Sequence, residues 1–237
     1  MQSRANLCEH NRSFAIVFVV GAPGAGKGTL STHLAQAYNL VHYSVGDGLR
    51  AWMRENPSTA LAVEIQSKLD NQGFVTSETL NLFIYLEILN TINDKPGVAG
   101  ILIDGYPRCM EQLESFGSWP FQGTLPLAPG NDGGLRLEIK PDLVLSFEVT
   151  KQNAKERYLG RARDTNDTAH KFERCFAEYE VETTPVKEAY QQRGILISAD
   201  GNGNKEENVE ALTKKLKESG LWRKIIEERT TGTQFLI

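Results

Sequence analysis

Cysteines are few in this sequence, and none of them is arranged as in a metal site or a disulfide framework. The three cysteines, Cys8, Cys109 and Cys175, lie far apart, and no C-x-x-C pair occurs. The spacing argues against a disulfide scaffold and a cysteine metal site, and a reducing compartment fits it best. We therefore expect a cytoplasmic protein.

Long apolar runs and a strong charge of one sign are also missing. No apolar stretch reaches the roughly 18 residues that a membrane-spanning helix requires. The first twelve residues are polar, and we interpret the apolar run behind them as a buried strand, not as a signal peptide. The formal net charge of −4 gives no general attraction to nucleic acid or anionic lipid. We expect neither a nucleic acid nor a membrane among its partners.

Several common catalytic arrangements are absent from the sequence as well. It shows no nucleophilic Ser–His pair, no paired catalytic carboxylates and no cluster of metal ligands. The four histidines are far apart and have no consistent partner spacing. Chemistry that depends on such groups is therefore disfavoured, and the glycines and arginines become the residues of interest.

Strand-like and helix-like stretches alternate along the 237 residues, which is typical of an α/β domain with a parallel sheet. Continuous apolar runs predict strands buried on both faces at residues 14–20, 41–44, 100–103, 143–149 and 195–198. Helices are predicted at residues 29–38, 151–161, 205–219 and, with a kink or break at Pro185, 172–192.

Two regions do not follow the simple alternation. Residues 46–92 hold about three helical segments and no strand, and residues 117–140 are rich in Gly and Pro and predict a surface loop insertion. We expect a single domain over residues 13–237, a flexible segment at residues 1–12 and a mobile tail from Thr230.

The segment GAPGAGKGT, Gly21 to Thr29, predicts a phosphate-binding loop between a strand and a helix. Its glycines lack a Cβ, so backbone N–H groups can close around phosphate oxygens at the positive end of the helix. Lys27 supplies a full charge, and Thr29 can reach a magnesium ion. The common pattern places a hydroxyl directly after the lysine, but here Gly28 occupies that position.

With Gly before Thr, the loop resembles that of the nucleoside monophosphate kinases, the adenylate and uridylate–cytidylate kinase family. The resemblance implies a P-loop three-layer α/β fold: a central five-stranded parallel sheet flanked by helices, a small helical monophosphate-binding insertion at residues 46–92 and a very short lid at residues 157–174. It also implies ATP and a nucleoside monophosphate as substrates and Mg²⁺ as the cofactor, and we expect a monomer. The ATP-binding residues that it implies are Gly21, Ala22, Pro23, Gly24, Ala25, Gly26, Lys27, Gly28, Thr29, Arg157 and, in the segment ISADGNGN, Gly201.

Three further segments resemble the monophosphate side of that family: YSVGDGLRAWM, GFVTSE and ILIDGYPRCMEQ. The resemblance implies that Arg50 grips the acceptor phosphate, since a guanidinium can hold two phosphate oxygens at once. It implies that Asp104, with Thr29, serves the metal and that Arg108 contacts the transferring group. The monophosphate-binding residues that it implies are Ser44, Val45, Arg50, Phe74, Val75, Gly105, Arg108 and Gln112.

The base specificity stays open between two alternatives. The amide of Gln112 offers a donor and an acceptor, which suits the amino group and ring nitrogen of adenine and favours AMP. Uridylate–cytidylate kinases, the alternative, usually carry Asn there. Val45 matches neither the Thr of adenylate kinases nor the Ala of uridylate–cytidylate kinases.

The lid segment KERYLGRARDTNDTAHKFER departs from the family pattern. Arg157 and Arg161 lie on one helix face, and Arg163 and Arg174 are spaced as the later arginine pair. The resemblance thus implies Lys27, Arg108, Arg161, Arg163 and Arg174 as the catalytic residues. Only Ala162 separates the two pairs, and Thr165-Asn166 replaces an aspartate pair. The short spacing and the missing aspartate pair leave a catalytically impaired nucleotide-binding member as a further alternative. Cys175 also competes for the place of Arg174.

Overall fold

The computed structural model describes residues 14–71, 74–95, 97–118, 141–161 and 168–228 of the chain. The strands are β1 (Ala15–Gly21), β2 (Leu40–Ser44), β3 (Gly100–Asp104), β4 (Leu143–Glu148) and β5 (Leu196–Asp200). The helices are α1 (Lys27–Ala37), α2 (Val45–Glu55), α3 (Ala60–Asn71), α4 (Ser77–Asp94), α5 (Met110–Ser115), α6 (Lys151–Arg161), α7 (Ala169–Glu178), α8 (Thr184–Gln192), α9 (Lys205–Glu218) and α10 (Gly220–Trp222). Two π-helical segments, Tyr179–Thr183 and Arg223–Glu227, continue α7 and α10.

The five strands form one sheet in the order β2-β3-β1-β4-β5, and every neighbouring pair is parallel. Each predicted strand is present, and its ends differ from the prediction by at most two residues. The predicted fold class, a five-stranded parallel sheet flanked by helices, is therefore confirmed.

Helices cover both faces of the sheet. Phe18 of β1 packs into a core that it shares with α2, α3, α4, α5 and α8. Its neighbours Val17 and Val19 pack into a second core, on the opposite face, with α1, α6, α7, α9 and α10. Successive side chains of a strand point to opposite faces, so a strand between two helical layers is apolar at every position. This burial explains the continuous apolar runs from which the strands were predicted.

A kink or a break was predicted at Pro185. The helical stretch continues through Pro185, so the predicted break is absent. Regular α-helix changes to a π-helical turn over Tyr179–Thr183, and Pro185 lies in the first turn of α8. A proline is tolerated there because the first N–H groups of a helix have no intrahelical acceptor.

Three helices, α2, α3 and α4, occupy the chain between β2 and β3, in agreement with the predicted helical content of residues 46–92. Their role as a monophosphate-binding insertion stays a prediction. Residues 1–13, 119–140, 162–167 and 229–237 lie outside the described part of the chain, and with them most of the predicted loop insertion, lid loop and termini. Among the described helices, none has both the length and the apolar character needed to cross a membrane.

Candidate active site

The phosphate loop lies between β1 and α1, tightly packed against its neighbours. Gly24 and Gly26 adopt left-handed backbone angles, with φ of 82° and 83°. A Cβ on Gly24 would collide with the backbone carbonyl of Ala154, and one on Gly21 would lie 2.8 Å from the oxygen of Phe147. Only glycine meets both conditions, the left-handed angle and the close approach, without strain.

Lys27 begins α1 and folds back across the loop. Its Nζ donates hydrogen bonds to the carbonyls of Gly21, at 2.8 Å, and Ala22, at 2.9 Å. The residue before the helix, Gly26, has no side chain to cap the first turn. The N–H groups at the positive end of the helix therefore remain suited to an anionic ligand such as a phosphate.

Asp104 ends β3 at the same edge of the sheet, opposite Val19 of β1 and Ser44 of β2. The residue is only 6% exposed, and its Oδ1 is buried and has no hydrogen-bond partner among the described residues. A buried carboxylate oxygen without a donor is costly unless a cation or water compensates it. Thr29, exposed in the first turn of α1, offers a second hard oxygen.

These oxygen donors fit Mg²⁺, which prefers carboxylate and hydroxyl oxygens and keeps several waters and substrate phosphates as ligands. The described residues contain no group of three or more His, Cys, Asp or Glu that could hold a metal by themselves. A magnesium ion here would therefore be held by Thr29, Asp104 and the phosphates of the substrate together.

His42 of β2 lies beside Asp104, which the sequence did not predict. Its Nε2 is 3.5 Å from Oδ2 of Asp104, and its Nδ1 is 3.3 Å from Oγ1 of Thr32. The Thr32 hydroxyl donates to the carbonyl of Gly28 at 2.8 Å, so it accepts from the imidazole. The partners of His42 come from α1 and β3, so no spacing along the chain could have indicated them.

An open cleft of about 620 Å³ extends from the phosphate loop along α1. Most of its lining residues have polar side chains, and they come from α1, from β2 with the start of α2, and from α9. The lining residues are Gly28, Thr29, Thr32, His33, Gln36, His42, Ser44, Asp47, Lys205 and Val209.

On the predicted acceptor side, Ser44 caps α2 by accepting from the N–H of Asp47 at 3.3 Å. Arg50 pairs with Asp47 at 2.5 Å, and both side chains are partly exposed. An exposed ion pair is worth little, so Arg50 can exchange this partner for a phosphate at small cost. Val45 is buried in the core, where its side chain serves packing.

Phe74 and Val75 precede α4. Val75 is buried in the core, and Phe74 is half-buried. Their predicted contact with the acceptor nucleotide stays a prediction.

The segment after β3 brings three predicted residues together. Gly105 has a φ of 85°, and a Cβ there would lie 3.3 Å from the guanidinium of Arg108. Arg108 is exposed, and its Nε donates to the carbonyl of Gly105 at 3.0 Å. Its backbone N–H donates to Oε1 of Gln112 at 2.8 Å. Gln112 is 1% exposed, and its Nε2 has no hydrogen-bond partner among the described residues.

Arg108 and Arg174 act on the same carboxylate, Glu178 of α7. Burial raises the pKa of Glu178, while the charges of Arg108 and Arg174 lower it. The same two guanidinium groups lower the pKa of the neighbouring Cys175, which burial raises more strongly. Glu178 and Cys175 thus lie within electrostatic reach of two of the predicted catalytic arginines. The Nε of Arg174 is buried without a hydrogen-bond partner in the described part of the chain.

Arg157 and Gly201, predicted to bind ATP, are in direct contact. The guanidinium of Arg157 donates to the carbonyls of Gly201, Asn202 and Gly203, the last two at 3.0 and 2.6 Å. Arg161 ends α6, but its side chain lies outside the described part, as does all of Arg163.

Sequence reasoning missed three polar residues around the site: His42, Glu178 and Asn208. Asn208 donates to the carbonyls of Gly201 and Gly203. A signal for it existed, because it falls at the helical spacing of the buried Leu212 and Leu216. Glu178 gave no such signal in the sequence.

Comparison with known proteins agrees with this arrangement. A family model described as adenylate kinase matches residues 19–125, which contain the phosphate loop and the segment after β3. The adenylate kinase of a Synechococcus species is 32% identical over 200 residues, which cover 84% of this chain and 95% of the relative. The adenylate kinase of a Nitratiruptor species is 31% identical over 196 residues, 82% of this chain and 91% of the relative.

A relative named for a different activity also matches. UMP-CMP kinase 1 of Oryza sativa subsp. japonica is 27% identical over 201 residues, 84% of this chain and 72% of the relative. Given a glycine loop at the end of β1, a buried aspartate at the end of β3 and likeness to both groups over most of its length, the chain belongs to the nucleoside monophosphate kinase family and is an ATP-dependent phosphotransferase.

Proposed function

We propose that this kinase transfers the γ-phosphoryl group of ATP, with Mg²⁺, to AMP and so forms two ADP. The observation that carries the choice of AMP is the side-chain amide of Gln112. Its oxygen accepts from the N–H of Arg108, so its Nε2, a donor, is the group left without a partner among the described residues. This hydrogen bond also fixes which end of the amide is nitrogen.

A lone donor favours some bases over others. Adenine and cytosine have an unprotonated ring nitrogen, an acceptor, on their pairing edge. Uracil and guanine carry N–H there, and two donors facing each other leave both unpaired, which costs about 1–3 kcal/mol when they are buried. The two adenylate kinases compared above, at 31% and 32% identity, are more similar to this chain than the UMP-CMP kinase at 27%, which supports AMP over CMP.

The proposed mechanism needs no general base. The acceptor is a phosphate oxygen that is largely ionised at pH 7, since the second pKa of a phosphate is about 6. Transfer then depends on alignment and on neutralising the negative charge that spreads over the transferring group. When bound, Mg²⁺ would neutralise phosphate charge between Thr29 and Asp104.

The cationic side chains bind and neutralise different phosphate groups. Lys27 and the loop N–H groups, from Gly21 to Thr29, hold the ATP phosphates, and Arg50 holds the acceptor phosphate. Arg108 and Arg174, with Arg161 and Arg163 of the lid, neutralise the transferring group. Closure of the lid and the monophosphate-binding helices would keep water from taking the phosphoryl group.

The test is ADP formation from ATP with AMP, CMP, UMP and GMP offered in parallel. We expect turnover with AMP, weaker turnover with CMP and little with UMP or GMP. Preference for UMP and CMP would instead support the uridylate–cytidylate alternative.

The shortened arginine spacing and the missing aspartate pair motivate a second candidate, a nucleotide-binding protein that has lost catalysis. It predicts nucleotide binding in calorimetry together with negligible transfer to all four monophosphates. That result would refute the proposed reaction.

A further inference from the structure

Asn208 interrupts the apolar face of α9. Leu212 and Leu216, one and two turns further on, are completely buried, and Asn208 is 7% exposed. A buried polar side chain is costly unless it is hydrogen-bonded. Its Nδ2 donates to the carbonyls of Gly201, at 3.1 Å, and Gly203, at 2.9 Å. The side chain therefore links α9 to both ends of the short segment 201–203, which we call the carbonyl loop.

The carbonyl loop lies against the phosphate loop. The N–H of Gly201 donates to the carbonyl of Glu148 at 2.7 Å, which ties the loop to the end of β4. A Cβ on Gly201 would lie 3.3 Å from the carbonyl oxygen of Ala25. A nucleotide whose phosphates occupy the phosphate loop therefore has this row of backbone acceptors close beside it.

The middle of the carbonyl loop is braced separately. Oδ1 of Asn202 accepts from the N–H of Thr150 at 2.8 Å and from Nδ2 of Asn153 at 3.1 Å. Thr150 directly precedes α6, and Asn153 lies in the first turn of α6. The loop is thus held from β4, α6 and α9, and its carbonyl directions are set before any ligand arrives.

Arg157 makes a second set of bonds to the same carbonyls, from the side of the lid. Its guanidinium donates to Gly201, Asn202 and Gly203. A carbonyl oxygen has two lone pairs, so Gly201 and Gly203 are each satisfied by one donor from Asn208 and one from Arg157. Asn208 is buried in the body of the domain, whereas Arg157 is half-buried on a lid helix and is the donor that can be exchanged.

We propose that Asn208 is a positioning residue that makes the carbonyl loop selective for a donor base with an exocyclic amino group. Asn208 holds one lone pair of Gly201 and of Gly203, and the amino group of the base takes the other in place of Arg157. The inference rests on the proposed function in taking ATP as the phosphoryl donor. It adds which side chain sets the preference for the donor base.

Inosine triphosphate is the matched probe, because it differs from ATP in carrying a carbonyl where adenine has its amino group, with a proton on the adjacent ring nitrogen. A carbonyl placed against the row of carbonyls makes no hydrogen bond and repels it. We expect the wild-type protein to bind ATP at least about tenfold more tightly than inosine triphosphate in calorimetry, the loss of a buried hydrogen bond being worth roughly that factor. Equal affinities would overturn the proposal without any variant.

The variants are Asn208→Asp, which keeps the shape but removes the donor, and Asn208→Val, which suits the apolar face of the helix. For both we expect the ratio of ATP to inosine triphosphate affinity to fall by about fivefold or more. KM for ATP rises accordingly, while kcat at saturation and KM for AMP change by less than about twofold. Thr213→Val is the control, since among the described residues its hydroxyl donates to the carbonyl of Val209 of the same helix and makes no hydrogen bond to the carbonyl loop.

Thermal unfolding shows which variants are folded, and one folded variant is enough to test the role of Asn208. An unchanged nucleotide ratio in a folded variant would make Asn208 merely structural, and the proposal would be wrong. If neither variant folds, equal affinities of the wild-type protein for ATP and inosine triphosphate still overturn the proposal. Failure of the wild-type protein to phosphorylate AMP would refute the proposed function, and the calorimetric ratio would still judge the role of Asn208.

Discussion

At the residue scale, two glycines of the phosphate loop are needed for different reasons. Gly24 and Gly26 share the same left-handed backbone angle. A Cβ on Gly24 would enter the backbone of Ala154, whereas one on Gly26 meets nothing within 4 Å. Gly24 is therefore required both for its backbone angle and for its close packing, whereas Gly26 is required for its backbone angle.

The pair allows a matched experiment. Gly26→Ala should lower the free energy of unfolding by about 1–2 kcal/mol, the cost of a left-handed alanine. Gly24→Ala should add an overpacking cost of about 1–3 kcal/mol, because the obstacle is backbone and cannot rotate away. Urea unfolding of both variants measures the difference, and equal losses would contradict the packing at Gly24.

A second residue-scale question concerns Arg174 and its neighbour Cys175. Of these two side chains, only the arginine can neutralise the transferring phosphoryl group, and the charge of Arg174, like that of Arg108, lowers the pKa of Glu178. We expect Arg174→Ala to lower kcat by about 10³-fold or more, as for arginines placed on a transferring phosphate. Cys175→Ala should leave kcat within about twofold. If Arg174→Ala retains full kcat in a steady-state assay, its assigned role is wrong.

At the scale of elements, α6 and α7 are joined through one acidic residue. Glu173 of α7 accepts from Lys151 at 2.8 Å and from Lys155 at 2.7 Å, both on α6. Tyr158 and Phe172 pack between the same two helices. The helices that carry Arg157 and Arg174 are therefore held together by an ion-pair triad and an aromatic contact.

The triad predicts a dependence of stability on pH. The two lysines lower the pKa of Glu173 from its ordinary 4.5 to about 2. Because the folded pKa lies below the unfolded one, the contribution is fully present above pH 4.5 and is lost as the pH falls towards 2. The gap in urea midpoint between wild type and Glu173→Gln should thus shrink between pH 6 and about 3.5, and the gap itself is small because these charges are exposed.

Glu156→Gln is the control for that series. Glu156 lies on α6 and accepts a hydrogen bond from the side chain of Gln152, which an amide oxygen can also accept. The urea midpoint of this variant should follow wild type at every pH. A gap for Glu173→Gln that stays constant with pH would contradict the coupling to Lys151 and Lys155.

At the scale of the whole molecule, the parallel sheet brings distant segments to one edge. The phosphate loop follows β1, Asp104 ends β3 and the carbonyl loop follows β5. Ligands of such sheets bind at the carboxyl ends of the strands, where the strand order reverses. The proposed reaction needs two nucleotides meeting end to end at this edge.

A mimic that joins two adenosines through five phosphates tests that arrangement. A ligand present at 100 times its Kd stabilises the folded state by about 2.7 kcal/mol. For a chain of this size that corresponds to a rise in Tm of roughly 5–10 °C. Calorimetry should show a larger rise with the linked mimic than with ATP or AMP alone at equal concentration. No gain over ATP would mean that the two sites do not face each other.

Much of the fold was predictable because its signals are local. A strand covered on both faces is apolar at consecutive positions, and β1, β3 and β4 follow that pattern. The glycine loop and DGYPR also depend on neighbouring residues, so their place at strand ends could be predicted from spacing alone. The π-helical turn before Pro185 has no such signature and was not predicted.

The sequence by itself determined the sheet, the phosphate loop and the family, because each is written in contiguous residues whose backbone demands are specific. Only the tertiary structure decided that Gln112 offers its nitrogen, that His42 lies against Asp104 and that Asn208 and Arg157 share the carbonyl loop. In each of these contacts, the packing of the folded chain decides which donor meets which acceptor. Hydrogen-bond partners that depend on packing leave no pattern along the sequence.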